Sequence, residues 1–123
     1  MINQPIQVFK LMYLALTKEW EKEKEERFGL YLSEADPFIN GNDSADPVVF
    51  EDFKKAFDQY GSYDDYGYDF IESYLSNLDP FYGDIKQYFV RIDRRQYVAD
   101  SEQFSSMSDE ELIAKFGLYP EEK

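Results

Sequence analysis

Tyr63, Asp64, Asp65, Tyr66, Tyr68 and Asp69 interleave phenol rings with carboxylates in one short stretch, and no Lys or Arg stands among them. Such a set is suited to receiving a cation. A carboxylate takes a guanidinium through two hydrogen bonds, and a ring face attracts an ammonium or guanidinium group. Tyrosine also offers large contact area at low conformational cost, which is why it concentrates at binding hot spots. The stretch is therefore a candidate contact surface for a basic partner. The same residues admit a plainer reading, with the rings packed inward and the acids solvated. Gly61 precedes it and Gly67 lies within it, and they make a connection more suitable here than a helix interior. Phe57, Phe70, Tyr74 and Phe81, by contrast, stand at helical spacing and read as core.

The setting strengthens the cation reading. From Ala56 to Ile85 there is no Lys or Arg, while these thirty residues hold seven acids and nine aromatics. The chain as a whole carries a formal charge of −13, unevenly spread: residues 1–28 are neutral, residues 29–90 carry −10 and residues 91–123 carry −3. A field of that sign disfavours direct contact with DNA or RNA phosphates, which need a basic footprint. It speeds encounter with a basic protein. Lysines and arginines arranged for phosphates also accept carboxylates, so a nuclease surface is one kind of partner that fits.

Much other chemistry is excluded. There is no histidine and no cysteine, which removes the usual general base, nucleophilic triads, thiolate metal sites and disulfides. Neither phosphate-binding glycine motif occurs. Acids abound, so a two-carboxylate hydrolase is formally open, but abundant acids are ordinarily a solvated surface. In the run Asn40-Gly-Asn-Asp-Ser-Ala-Asp46, the side chains of Asn40, Asn42, Asp43, Ser44 and Asp46 offer oxygens to a hard cation. The EF-hand spacing is not met, and a turn-rich loop ending in a helix cap is the preferred reading. Asp43 and Asp46 then form a second acidic patch. No cofactor, metal or catalytic residue is assigned.

The elements that must position these residues are helical. Pro5 starts a first helix, with Asn3 as its cap, and Ile6, Phe9, Tyr13, Leu16 and Trp20 recur along it. The spacing predicts this helix over about 5–27, its second half exposed, with Gly29 bending or ending it and a short helix beyond. Asp46 and Pro47 open a helix through Tyr60, ended by Gly61. Another starts at Tyr68, and Asp79-Pro80 opens one over about 81–92. In that last segment the run from Tyr88 to Ile92 would equally suit a strand. Residues 94–106 read as a connection. Ser108 and Glu111 make a capping box, Met107 and Leu112 a staple, and Gly117 a stop. The expectation is mostly α: one compact helical domain over residues 1–123 with about five or six helices. The opening residues lack a basic signal-peptide start and no apolar run is long enough to span a bilayer. The chain accordingly reads as cytoplasmic, without membrane contact.

The run Phe28-Gly-Leu-Tyr-Leu-Ser-Glu-Ala-Asp-Pro-Phe38, followed by Ser44-Ala-Asp-Pro-Val-Val-Phe-Glu-Asp-Phe-Lys-Lys-Ala-Phe57, is similar to stretches of small bacterial proteins. With its size, acidity and tyrosine–aspartate tract, the chain resembles the acidic immunity proteins of bacterial toxin–immunity systems, including contact-dependent inhibition. The resemblance implies a non-enzymatic cytosolic inhibitor that blocks a basic toxin domain, with a nuclease among the candidate targets. The alternative is a structural or adaptor domain that binds its partner through an apolar patch.

Overall fold

A computed structural model describes residues 4–41, 43–61 and 63–119. The fold is all-helical among these residues: α1 (Pro5–Lys22), α2 (Glu26–Ala35), α3 (Pro47–Tyr60), α4 (Asp64–Ser76), a 3-10 turn (Pro80–Tyr82), α5 (Lys86–Phe89), α6 (Arg94–Ser105) and α7 (Asp109–Phe116). None is long and apolar enough to cross a membrane. Residues expected as the cap of α1 (Asn3) and in the 40–46 oxygen cluster (Asn42) lie outside the described set.

The core is organised by α1. Between Val8 and Thr17 every position but Lys10 is buried, the signature of a helix enclosed on all sides, and α1 touches α2, α3, α4, α5 and α6. Around it the aromatics interlock. Phe53 meets Phe9 and Tyr74 at 4.9 Å and Phe70 at 5.2 Å, in edge-to-face contacts. Removing such a fully buried ring costs about 3–5 kcal/mol.

Beyond Thr17 the apolar surface of α1 gives out, and the helix ends at Lys22 rather than near residue 27. Glu23 is extended, and the Glu25 carboxylate accepts the Phe28 N–H at 2.7 Å to start α2. That hydrogen bond holds the Glu25 pKa below the usual carboxylate range. After the break, α2 buries Phe28, Tyr31, Leu32 and Ala35 in the core. Gly29 neither bends nor ends a helix. It lies inside α2 as the notch for Trp20: a Cβ there would stand 2.9 Å from the indole nitrogen.

Local capping chemistry holds where it was expected. Asp46 accepts the Val48 N–H, Pro47 opens α3 and Gly61 closes it. The Ser108–Glu111 capping box forms, and Leu118 donates its N–H to the Ile113 carbonyl past Gly117. The expected helix over 81–92 is instead a 3-10 turn and the short α5, separated at Gly83 (φ 75°, ψ −161°), a conformation open essentially to glycine alone. A three-residue turn has no apolar face to bury. Phe81, expected in the core, is therefore 63% exposed, while Tyr82 turns in against Tyr31. Residues 94–105, expected as a connection, form α6, which buries Tyr97, Ser101 and Phe104.

Candidate functional site

The tyrosine–aspartate stretch is built by a left-handed turn. Asp65, Tyr66 and Gly67 have φ of 56°, 57° and 80°, and the regular part of α4 follows them. Such a run is costly for residues with a Cβ, and Gly67 is required twice over, since a Cβ there would also stand 2.9 Å from Val8. Hydrogen bonds from the rest of the fold hold the turn: Tyr97 donates its hydroxyl to the Tyr66 carbonyl and Tyr68 donates its own to the Ile92 carbonyl, each at 2.8 Å. The rings face inward. Tyr63 stacks on Phe57 at 3.9 Å and 5°, Tyr66 is half-buried against the core, and Tyr68 is buried between Phe89 and Tyr97.

The carboxylates of this turn have found a cation inside the molecule. Arg94, the first residue of α6, donates to Asp65 at 3.1 Å, pairs with Asp69, and lies with its guanidinium carbon 4.6 Å from the Tyr68 ring centre. Hydrogen bonding to Asp69, with a smaller contribution from Asp65, raises the already high Arg94 pKa. Of the residues read from the sequence as one surface, the fold thus gathers Asp65, Tyr68 and Asp69 around Arg94. It packs Tyr63 and Tyr66 inward and leaves Asp64 exposed, in none of the ion pairs among the described residues.

The 36–46 loop uses its oxygens locally. Asp36 accepts the Phe38 N–H at 2.9 Å and the Tyr119 hydroxyl; Asp43 accepts the Ser44 N–H at 2.8 Å. Ser44 donates its hydroxyl to the Asp46 carbonyl and accepts the Phe50 N–H. Asp43 and Asp46 are consequently separated in role. Asp43 shapes the loop, whereas Asp46 caps α3 and lines a groove between α3 and α4.

That groove has a volume of about 670 Å³ and lies between α3 and α4, with Tyr82 of the 3-10 turn also lining it. Its carboxylates are Asp46, Asp52 and Asp79, its exposed aromatic rim is Tyr60, and Tyr74 and Tyr82 line it further in; no Lys or Arg is among its lining residues. The inner wall carries a hydroxyl network: Tyr31 and Tyr74 share a hydrogen bond at 2.9 Å, and Tyr82 donates to Glu34. Burial raises the pKa of all three phenols, that of Tyr74 to about 12. Asp52 adds to the shift of Tyr74, and Glu34 and Asp46 to that of Tyr82. All three hydroxyls therefore keep their protons at neutral pH.

Sequence reasoning passed over Asp52, Tyr60, Asp79 and Tyr82 as contact residues and assigned Tyr74 to the core alone. The signal was present as two stripes, Asp52-Ala56-Gln59-Tyr60 on α3 and Phe70-Ser73-Tyr74 on α4, the second continued past the helix end by Asn77 and Leu78. Each lies beside the more conspicuous apolar stripe of its helix. A smaller cleft of about 290 Å³ between α1 and α6 has mixed charge, its Lys18 paired with Asp100 and its Lys22 with Glu19. No protein-family model, curated protein or solved structure matches this chain.

Proposed function

We propose that this protein is a non-catalytic acidic binding protein that neutralises a basic protein partner, a bacterial toxin domain with a nuclease as the favoured class, by covering its cationic surface. The observation that carries this reading is the α3–α4 groove: three carboxylates and four tyrosines line one concavity, and no cation lines it. The resemblance to toxin-immunity proteins supplies the word toxin, and the charge of −13 supplies the means of fast encounter. Carboxylates at the groove would occupy the places that phosphates take on a nucleic-acid-binding surface.

The test is to express the chain together with the protein encoded beside its gene, and to measure growth and the affinity of the purified pair as salt rises. Protection from growth arrest, with affinity falling steeply with salt, supports the reading. Binding indifferent to salt overturns it in favour of an adaptor that docks through apolar contacts. That second reading draws on the exposure of Phe81 (63%) and Ile39 (58%).

A further inference from the structure

The inner wall of the α3–α4 groove holds more than negative charge. Tyr31 is 1% exposed and Tyr74 8%, and their hydroxyls are hydrogen-bonded to each other at 2.9 Å. Two phenols that share one hydrogen bond hold two protons, and only one of those protons lies between them. Whichever hydroxyl donates, the other keeps an O–H with no acceptor in the described structure. Both residues line the groove, and burial holds both in the protonated form. A spare donor of this kind suits a ligand that brings an acceptor, because the ligand's carbonyl then gains a partner as it leaves water.

The groove therefore presents two chemically distinct features on one surface: carboxylates for a cation and a hydroxyl donor for a neutral acceptor. A bare polyamine satisfies the first alone, because an ammonium or a guanidinium group has no acceptor to offer. A polypeptide satisfies both, with a basic side chain and a main-chain carbonyl. The lining residues Asp52, Ala56 and Tyr60 follow one another four apart along α3, a row that suits a chain laid lengthwise.

Resting on the function proposed above, we infer that the α3–α4 groove takes an extended, basic segment of the partner polypeptide, its Arg or Lys side chain beside Asp52 and Asp79 and one of its main-chain carbonyls on the Tyr31–Tyr74 hydroxyl pair. Asp52 is the informative carboxylate. It is exposed on α3 and in none of the ion pairs among the described residues, whereas Asp46 and Asp79 also cap helical turns. Asp58 is exposed on the same helix but does not line the groove. Asp52→Lys and Asp58→Lys change the net charge equally, so a difference between them reports place and not field.

The experiment titrates the intact protein with an acetylated, amidated Arg-Gly repeat peptide and, separately, with spermine, at low and moderate salt. The expected result is that Asp52→Lys weakens the peptide about tenfold more than Asp58→Lys does. The Tyr31→Phe/Tyr74→Phe double variant, which keeps both rings and removes both hydroxyls, weakens the peptide about threefold or more and leaves spermine unchanged. Each single variant leaves one hydroxyl free to donate and weakens the peptide less, and thermal unfolding checks that the double variant is folded. Equal losses from Asp52→Lys and Asp58→Lys, with salt-sensitive binding retained, overturn the groove assignment while the basic-partner reading stands. Unaltered peptide binding in the folded double variant overturns the main-chain contact. Salt-insensitive binding of both probes overturns the inference and the proposed function together.

Discussion

Aspartates meet tyrosines at two places in this molecule, and the two are resolved in opposite ways. At the left-handed turn that opens α4, Asp65 and Asp69 hold Arg94 against the face of Tyr68. In the α3–α4 groove, Asp46, Asp52 and Asp79 stand with Tyr60, Tyr74 and Tyr82, and no lining residue is cationic. The residue types are the same. The difference is whether the fold supplies the counter-charge. Where it does, the cluster stabilises a strained backbone; where it does not, the cluster is the surface we propose for a partner. Acidic–aromatic composition is thus a poor guide to a contact surface until the molecule's own cations have been placed.

The turn is the more breakable of the two. Gly67→Val is expected to have the largest effect, because it puts a β-branched residue at φ 80° and drives its Cβ into Val8. A loss of about 3 kcal/mol or more in denaturant unfolding is expected, from left-handed strain and overpacking together. A loss under about 1 kcal/mol would mean that the backbone at 65–67 relaxes to an ordinary conformation at little cost.

The groove phenols make stability fall in alkali. The phenols of Tyr31, Tyr74 and Tyr82 have folded pKa values raised above the ordinary tyrosine value, chiefly by burial, that of Tyr74 reaching about 12. A neutral phenol raised in this way contributes stability that is fully present below the unfolded pKa, near 10, and is lost as pH rises through the folded value. Between pH 10 and 12 Tyr74 alone should cost about 1.4 kcal/mol per pH unit. Unfolding followed by tyrosinate absorbance and circular dichroism checks this, and Tyr74→Phe should flatten the slope. Tyr97 titrates in the same direction but lies under the turn, so it serves as the control.

Arg94→Ala is expected to have a smaller effect. Its ion pairs are partly exposed, with 42% of the Arg94 side chain accessible, and exposed pairs contribute about 1 kcal/mol or less. The ring contact adds about 0.5 kcal/mol. Thermal melts should show that modest loss. Spermine binding should rise at the same time, because the variant converts a satisfied acidic cluster into an unsatisfied one and makes the turn resemble the groove. Unaltered spermine binding would show that the counter-charge is not what separates the two places.

How much of this was legible follows from how local each determinant is. The limits of α3 and α7 rest on neighbours: Asp46 with Pro47, Ser108 with Glu111, and the glycines at 61 and 117. Those signals lie within a few residues and were readable. The break at Glu23–Glu25 depends on α1 running out of core to bury in, and α6 on a thin buried stripe of Tyr97, Ser101 and Phe104 in a polar segment. Both need the tertiary packing. The nominated contact stretch shows the same limit. Its composition announced a cation receptor, but its cation stands 25 and 29 residues along the chain from the two acids, and nothing near Asp65 or Asp69 points to Arg94. The groove was hidden for the converse reason: its residues belong to two helices whose apolar faces dominate their pattern.

Asp64 carries the smallest expected change and the sharpest distinction between the two surfaces. It is the acid of the nominated stretch that remains exposed and outside the ion pairs, on the non-helical entrance to α4. Asp64→Lys should alter stability by no more than about 0.5 kcal/mol, as for exposed positions without a cap or a partner. It removes the same charge as Asp52→Lys, so the long-range field weakens equally in both. Association with a basic partner should slow by a similar factor in the two variants, because steering reads the whole field. Dissociation should separate them. A charge inside a contact is felt in the off-rate, and one outside it is not. Asp52→Lys should accelerate release of the partner, and Asp64→Lys should leave it unchanged. Faster release from Asp64→Lys would return the contact centre to the tyrosine–aspartate turn, and with it the reading that composition alone first suggested.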